Sequence, residues 1–220
     1  DWTISKHRIL SKRFIVAHNG VDLDTFRPRE DFLSRREPVS VLFIGRIDRN
    51  KGPDIAACAV EVLQREGHPV TLTVVGGLWF YGNTDPSEDP FFQILKKKMD
   101  QVNASYLGHV ERGFVPELVR QHDVVCVLSR TNEPFGLVVL EAMASGCAVI
   151  ASNRGGLPEA CENAALLVDE ANPVAVSDAL RSLVIDRMRL NDYKQKGISR
   201  AAQLPWSKCA SILESAVQAL

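Results

Sequence analysis

The sequence predicts a doubly wound α/β domain built on a parallel sheet, and three observations carry that expectation. Apolar, β-branched runs recur along the chain with helix-like stretches between them. The runs are apolar throughout rather than alternating, as strands covered on both faces require. Neither an internal repeat nor a low-complexity linker interrupts the alternation, so a single domain over 1–220 is expected. With 220 residues, 45% of them apolar, the chain is long enough to bury one core.

RFIVAHNG (13–20) reads as a strand closing in an Asn-Gly turn. VSVLFIG (39–45) is a buried strand that runs through RIDRNKGPD into a helix over 53–66. In that helix Ile55, Ala59, Val62 and Leu63 share a face, Pro53 suits the first turn and Gly67 ends it. VTLTVVGG (70–77) is the next strand. LWFYGNTDPSEDP (78–90) loses all periodicity, and its Gly, Asn, prolines and acids predict a surface loop. A helix over 91–102, a strand SYLGHV (105–110), a helix over 115–122 and a strand DVVCVLS (123–129) follow. A helix over 137–145, a strand CAVIAS (147–152), a helical turn over 157–161 and a strand AALLV (164–168) complete the alternation. From 173 the pattern is helical to the end, broken at Leu204-Pro205.

A net charge of -1 argues against a nucleic-acid binder, because a surface that tracks phosphates shows a basic excess. The basic stretches KHRILSKR (6–13) and Lys96-Lys97-Lys98 read as solvated faces. Cys58, Cys126, Cys147, Cys161 and Cys209 stand singly in apolar surroundings. They read as small buried hydrophobes in a reducing, cytoplasmic compartment. No apolar run is long enough to span a membrane, and no signal peptide opens the chain. The opening Asp1, in place of Met, predicts a piece cut from a longer polypeptide.

In an open parallel sheet, ligands bind outside the carboxyl ends of the strands, here the loops 45–53, 76–90, 108–115, 129–137 and 152–158. Neither G-x-G-x-x-G after a strand nor G-x-x-x-x-G-K-[ST] occurs, which disfavours a dinucleotide oxidoreductase and a P-loop NTPase. In GRIDRNKG, Gly45 lets backbone approach a ligand, while Arg46 and Lys51 stand at a helix N-terminus whose dipole is already positive. That placement suits a shared anion. Arg46 pairing with Asp48 or Glu133 is the structural alternative. Around PFG, the free amides of Gly136, Leu137 and Val138 would favour an anion in the same crevice. Two such sites flanking one cleft suit a diphosphate.

The helix beginning at Leu137 has Glu141 as its one ionisable side chain, and an unpaired buried carboxylate costs several kcal/mol. Glu141 could accept from the hydroxyls of a ribose, and Glu133 from a sugar beyond the diphosphate. Alternatively Glu141 pairs with an arginine of the sheet, and Glu133 favours the helix dipole from outside.

These residues carry a family resemblance. EPFGLVVLE with EAMASGCAVIAS resembles the E-x7-E region of retaining glycosyltransferases of GT-B architecture, most closely family 4, the group 1 type. VAHNGVDLDTFRP (16–28), VLFIGRIDRNKGPDIAACAV (41–60), SYLGHV (105–110) and SNRGGLPEA (152–160) resemble that family's other blocks in the same order. The resemblance covers residues 1–215 and implies the C-terminal, donor-binding Rossmann-like half of a two-domain enzyme. It further implies that Arg46 and Lys51 hold the donor diphosphate beside Gly45. Backbone of Phe135, Gly136 and Leu137 would meet phosphate and sugar, and Glu141 would take the ribose. Glu133 would hold the transferred hexose, with backbone near His109 and Val110 meeting the base. The implied donor is a UDP- or GDP-hexose, with no cofactor and no divalent metal required. The acceptor (a glycan, lipid or small molecule) would be held by a missing N-terminal domain, against which the helix of 203–220 would pack. Trp206, Ile212, Leu213 and Val217 would then lack part of their packing.

The five histidines (7, 18, 68, 109, 122) are dispersed, with no metal-ligand spacing, and His18 reads as a satisfied loop histidine. The long loop after the third strand departs from the family's short turn, and Trp79 or Tyr81 there could stack on a ligand or simply pack. A nucleotide-sugar 2-epimerase and a non-catalytic nucleotide-sugar-binding subunit stay open as alternatives.

Overall fold

Six parallel strands form one sheet in the order β3-β2-β1-β4-β5-β6, seen in a computed structural model that describes residues 15–34, 37–78, 89–169 and 171–218. The strands are β1 (Val39–Ile44), β2 (Val70–Val75), β3 (Ser105–Tyr106), β4 (Val124–Val127), β5 (Ala148–Ser152) and β6 (Leu166–Val168). The chain lays down β1 to β3 in one direction, then returns to the other side of β1 for β4 to β6. The two halves therefore part between β1 and β4.

Helices α1 (Pro53–Arg65), α2 (Pro90–Gln101) and α6 (Pro173–Ile185) cover one face of the sheet. Helices α3 (Val115–Arg120), α4 (Leu137–Ala144) and α5 (Leu157–Cys161) cover the other. The apolar character of the strands follows from this double cover. Val41 and Phe43 of β1 join the core under α1, while Leu42 between them joins the core under α4. Helix α7 (Arg187–Ala201) braces α4, with Gly197 set against Met143. Helix α8 (Trp206–Gln218) closes the chain and buries none of its residues. Trp206, Leu213 and Val217 are exposed and Ile212 is half-buried.

Three expectations are corrected. Residues 15–20 form no strand, and Val21 makes only an isolated bridge to Pro205. β-branched content suggested a strand there, but no neighbouring strand pairs with it, so Ile15 and Val16 stay exposed. The run 105–110 is a strand only over Ser105–Tyr106: the bonds to the β2 side continue through Leu107 and Gly108, but Gly108 leaves the extended conformation at φ 63°. Cys126, Cys147 and Cys161 are buried as expected, but Cys58 and Cys209 are half-buried. Cys58 lies at the α1–α2 seam, 2.9 Å from Lys98 Nζ. The basic stretch 6–13 and the aromatics Trp79 and Tyr81 lie outside the described residues.

Candidate functional site

β1 and β4 are paired neighbours, but the loops leaving their carboxyl ends run to helices on opposite faces of the sheet, and a crevice opens at this switch point. It holds a cavity of about 340 Å³ whose wall includes Gly45, Lys51, Glu133, Gly136 and Val138. On the far side of Gly45 a second cavity of about 470 Å³ is lined by Arg46, Gly77, His109, Val110 and Val115. Ile44 and Gly45 wall both, so the two are adjoining chambers of a size typical for small-molecule sites.

The loop 45–52 is shaped by Asp48, whose carboxylate accepts from the backbone amides of Asn50 at 2.8 Å and Lys51 at 3.1 Å. That turn sets the direction of Lys51. Its Nζ reaches Glu133 Oε2 at 2.5 Å, and Ser129 donates to the same oxygen at 2.9 Å. Arg46 lies 3.3 Å from Asp48 Oδ2, the structural alternative raised by the sequence. The two cations thus stand on opposite sides of Gly45, each beside a carboxylate, rather than on one shared point.

Arg130 joins the two loops across the crevice. Its guanidinium forks onto Asp54 at 2.9 and 2.7 Å and also bonds the Arg49 carbonyl, while its amide donates to Asn50 O at 2.7 Å. From the other side, the 155–156 turn grips the Glu133 segment. The Gly156 amide donates to Glu133 O at 2.7 Å, and a Cβ on Gly155, at φ 60°, would come within 2.2 Å of that carbonyl.

Gly136 precedes α4 in the left-handed region at φ 85°, and the helix starts at the cavity wall. Val139 N–H is taken by Gly136 O, and Leu137 and Val138 before it line the cavity. Phe135 is held from behind by the His18 ring, stacked at 5.7 Å, while His18 itself bonds Glu159 at 2.6 Å. His18 is therefore a satisfied loop histidine, as the sequence suggested.

Glu141 lies one turn after Val138 on the same face of α4, its side chain only 16% exposed. Its nearest cation is Arg112, 3.8 Å away in the loop between Val110 and Val115, with an exposed side chain. This pairing differs from the sequence alternative of an arginine within the sheet. At that distance the contact is electrostatic rather than a hydrogen bond. Burial pushes the Glu141 carboxyl above the ordinary carboxylate range, and Arg112 pulls the other way.

Most of the expected donor-site residues line the two chambers: Gly45, Arg46 and Lys51 from one loop, Glu133 to Leu137 from the facing one, with His109 and Val110 on the far wall. Glu141 lines neither chamber; it stands one turn past the cavity-lining Val138, facing Arg112. Sequence reading missed Ser129, Arg130, the turn-forming role of Asp48 and the Gly155 turn. The D-R-N-K spacing of an Asx turn at 48–51 was a usable signal; Arg130 carried none, because Asp54 is distant in sequence, and Ser129 reaches Glu133 four residues on only through the shape of the loop. Among the described residues, no helix is long and apolar enough to cross a membrane, and no group of three or more His, Cys, Asp or Glu is placed to hold a metal.

The profile of the family described as "Glycosyl transferases group 1" matches residues 24–200. Spore coat protein SA of Bacillus subtilis is 30% identical over 218 residues, covering 91% of this chain and 57% of that protein. D-inositol 3-phosphate glycosyltransferase of Mycobacteroides abscessus is 31% identical over 223 residues, covering 98% of this chain and 48% of that protein. The chain thus spans about half the length of these relatives. The solved C-terminal domain of a glycosyl transferase group 1 family protein from Francisella tularensis superposes with a TM-score of 0.71 at 27% identity, over 84% of this chain and 97% of that one.

Proposed function

We infer, for a chain that belongs to the glycosyl transferases group 1 family, that its crevice is the donor site of a retaining hexosyltransferase of the family 4 type. The reaction moves a hexose from a nucleoside diphosphate, UDP or GDP, to an acceptor hydroxyl with the anomeric configuration kept. One observation carries the reading: Lys51, Glu133 and the mouth of α4 line one of two adjoining chambers at the switch point, with Arg46, His109 and Val110 lining the other.

In this reading the base enters the chamber of His109 and Val110, and the ribose hydroxyls bond Glu141. The diphosphate spans Gly45 to meet Arg46, Lys51 and the amides of Leu137 and Val138. It offers Lys51 more negative charge than Glu133 does, so Lys51 changes partner and Glu133 is freed to accept from the hexose hydroxyls. As the glycosidic bond breaks, charge builds on the departing diphosphate. The same cations and amides stabilise it without reorganising, an effect strongest in a water-excluding cleft. No step calls on a divalent metal or cofactor, and the site of action is the cytoplasm. The acceptor, a glycan, lipid or small molecule, sits on an N-terminal domain. The helix of 203–220 packs there through Trp206, Leu213 and Val217.

Calorimetric titration with UDP-, GDP- and ADP-sugars tests the donor site. Binding of one nucleotide series, weakened at least tenfold in Glu141→Ala, is the expected result, and equal affinity in the variant contradicts it. In a transfer assay with acceptor, the 220-residue chain alone should turn over slowly. Rates equal to those of a two-domain relative would refute the need for an N-terminal domain.

A further inference from the structure

Arg112 belongs to neither chamber wall, yet it is the charged group nearest Glu141. Its side chain is 87% exposed, and an arginine so open to water gains little by holding one direction. Its place is fixed by the chain: Val110 before it and Val115 after it both line the His109 chamber, so the loop is that chamber's rim.

Most other charged groups on the elements around α4 are engaged elsewhere; Arg154, in the turn before α5, is the exception, with its Nε buried and without a hydrogen-bond partner. Lys194 pairs with Asp123 and Arg200 with Glu162. His18 pairs with Glu159, Arg120 with Glu117 and Lys51 with Glu133. Glu111 and His109 lie along the rim beside Arg112 itself.

Resting on the donor-site reading above, we propose that Arg112 is a positioning residue that acts through Glu141, keeping the carboxylate facing the loop that rims the His109 chamber until ligand hydroxyls take its place. A carboxylate accepts from two vicinal hydroxyls most strongly when ionised, whereas burial favours its protonated form. Arg112 opposes that protonation from the solvent side, where it does not occupy the ligand's space. Nucleotide binding then weakens as pH falls through the Glu141 titration, and losing Arg112 moves that limb upward.

The test has two arms. In the ligand-free chain, the Glu141 carboxyl is followed by carbon NMR against pH, and Arg112→Ala is expected to raise its midpoint by about half a pH unit, the scale of an exposed ion pair. In the second arm, UDP affinity is measured across the same pH range. Its acid limb should shift upward by the same amount in Arg112→Ala and return in Arg112→Lys. On a Glu141→Gln background the limb should vanish, and Arg112→Ala should change affinity less than about twofold, as for uncoupled sites. A midpoint unmoved by Arg112→Ala overturns the proposal. So does a loss of affinity that is equal at every pH and persists with Glu141→Gln, since that marks a structural or direct ligand role. If none of UDP, GDP and ADP binds at any pH, the donor-site reading fails and the ligand role of Arg112 with it; if GDP or ADP binds in place of UDP, the second arm is read with that nucleotide. The carboxyl titration still decides whether the two residues are coupled.

Discussion

At the amino end of the sheet, the Asp123 carboxylate and the Lys194 ammonium are 2.7 Å apart with side chains 0% and 1% exposed. At the carboxyl end, Glu141 has its nearest cation 3.8 Å away on an exposed loop. Asp123 also accepts from the Ser40 amide and hydroxyl, and Lys194 donates its remaining reach to Phe32 O. Burial alone would raise the Asp123 carboxyl, but Lys194 and Ser40 outweigh it and hold it below the usual range. Burial wins at Glu141. The same sheet thus supplies every bond to a charge that ties helix α7 to the strands, and leaves a second charge short of partners one turn past the cavity-lining Val138. A buried group left in that state points to a ligand that completes it.

Removing one partner of the satisfied pair should have the largest effect. Asp123→Ala is expected to cost about 3–5 kcal/mol of stability, read from denaturant unfolding, because it strands a buried ammonium. The Asp123 contribution exists above the ordinary carboxylate range and is lost as pH falls through its lowered folded pKa. Lys51→Ala breaks the pattern in the other direction. UDP affinity should fall by about 1.5–3 kcal/mol, the worth of a charge-assisted contact, with little change in melting temperature. A stability loss matching that of Asp123→Ala would mean Lys51 is structural and would erase the contrast.

Gly155→Ala lies between the two ends in character. Its left-handed φ and the 2.2 Å approach to Glu133 O force the 133–136 segment to move, at a cost of about 1–3 kcal/mol. A parallel loss of UDP binding is expected in the same variant. The smallest change sharpens the comparison most. Glu141→Gln should stabilise the chain by about 1 kcal/mol at neutral pH while weakening UDP binding, the trade-off of a strained site. The sign follows from the raised pKa: the cost of the charged form is present above the folded pKa and relieved below it, so the gain should fade in acid.

Most of the fold was legible because double-sided burial leaves an unmistakable pattern: β5 and α4 are apolar at nearly every position. The strand expected over 13–20 was not, since its β-branched residues describe a propensity and strand formation needs a neighbour. Within the site, Lys51, Glu133 and Glu141 were legible because each is a charge where local burial or the helix dipole disfavours it. Their actual partners were not. Ser129 and Arg130 reach Glu133 and Asp54 through loop geometry, and Arg112 reaches Glu141 across a gap in sequence that no spacing rule encodes.

The central claim is that Lys51 and Glu133 exchange partners around a diphosphate while Glu141 takes the ribose. A crystal structure of the chain with UDP-glucose tests it most directly. The expected result has phosphate oxygens within hydrogen-bond distance of Lys51 Nζ and the Leu137 and Val138 amides, and the ribose hydroxyls on Glu141. A nucleotide bound elsewhere, with the Lys51–Glu133 contact intact and Glu141 untouched, would contradict it.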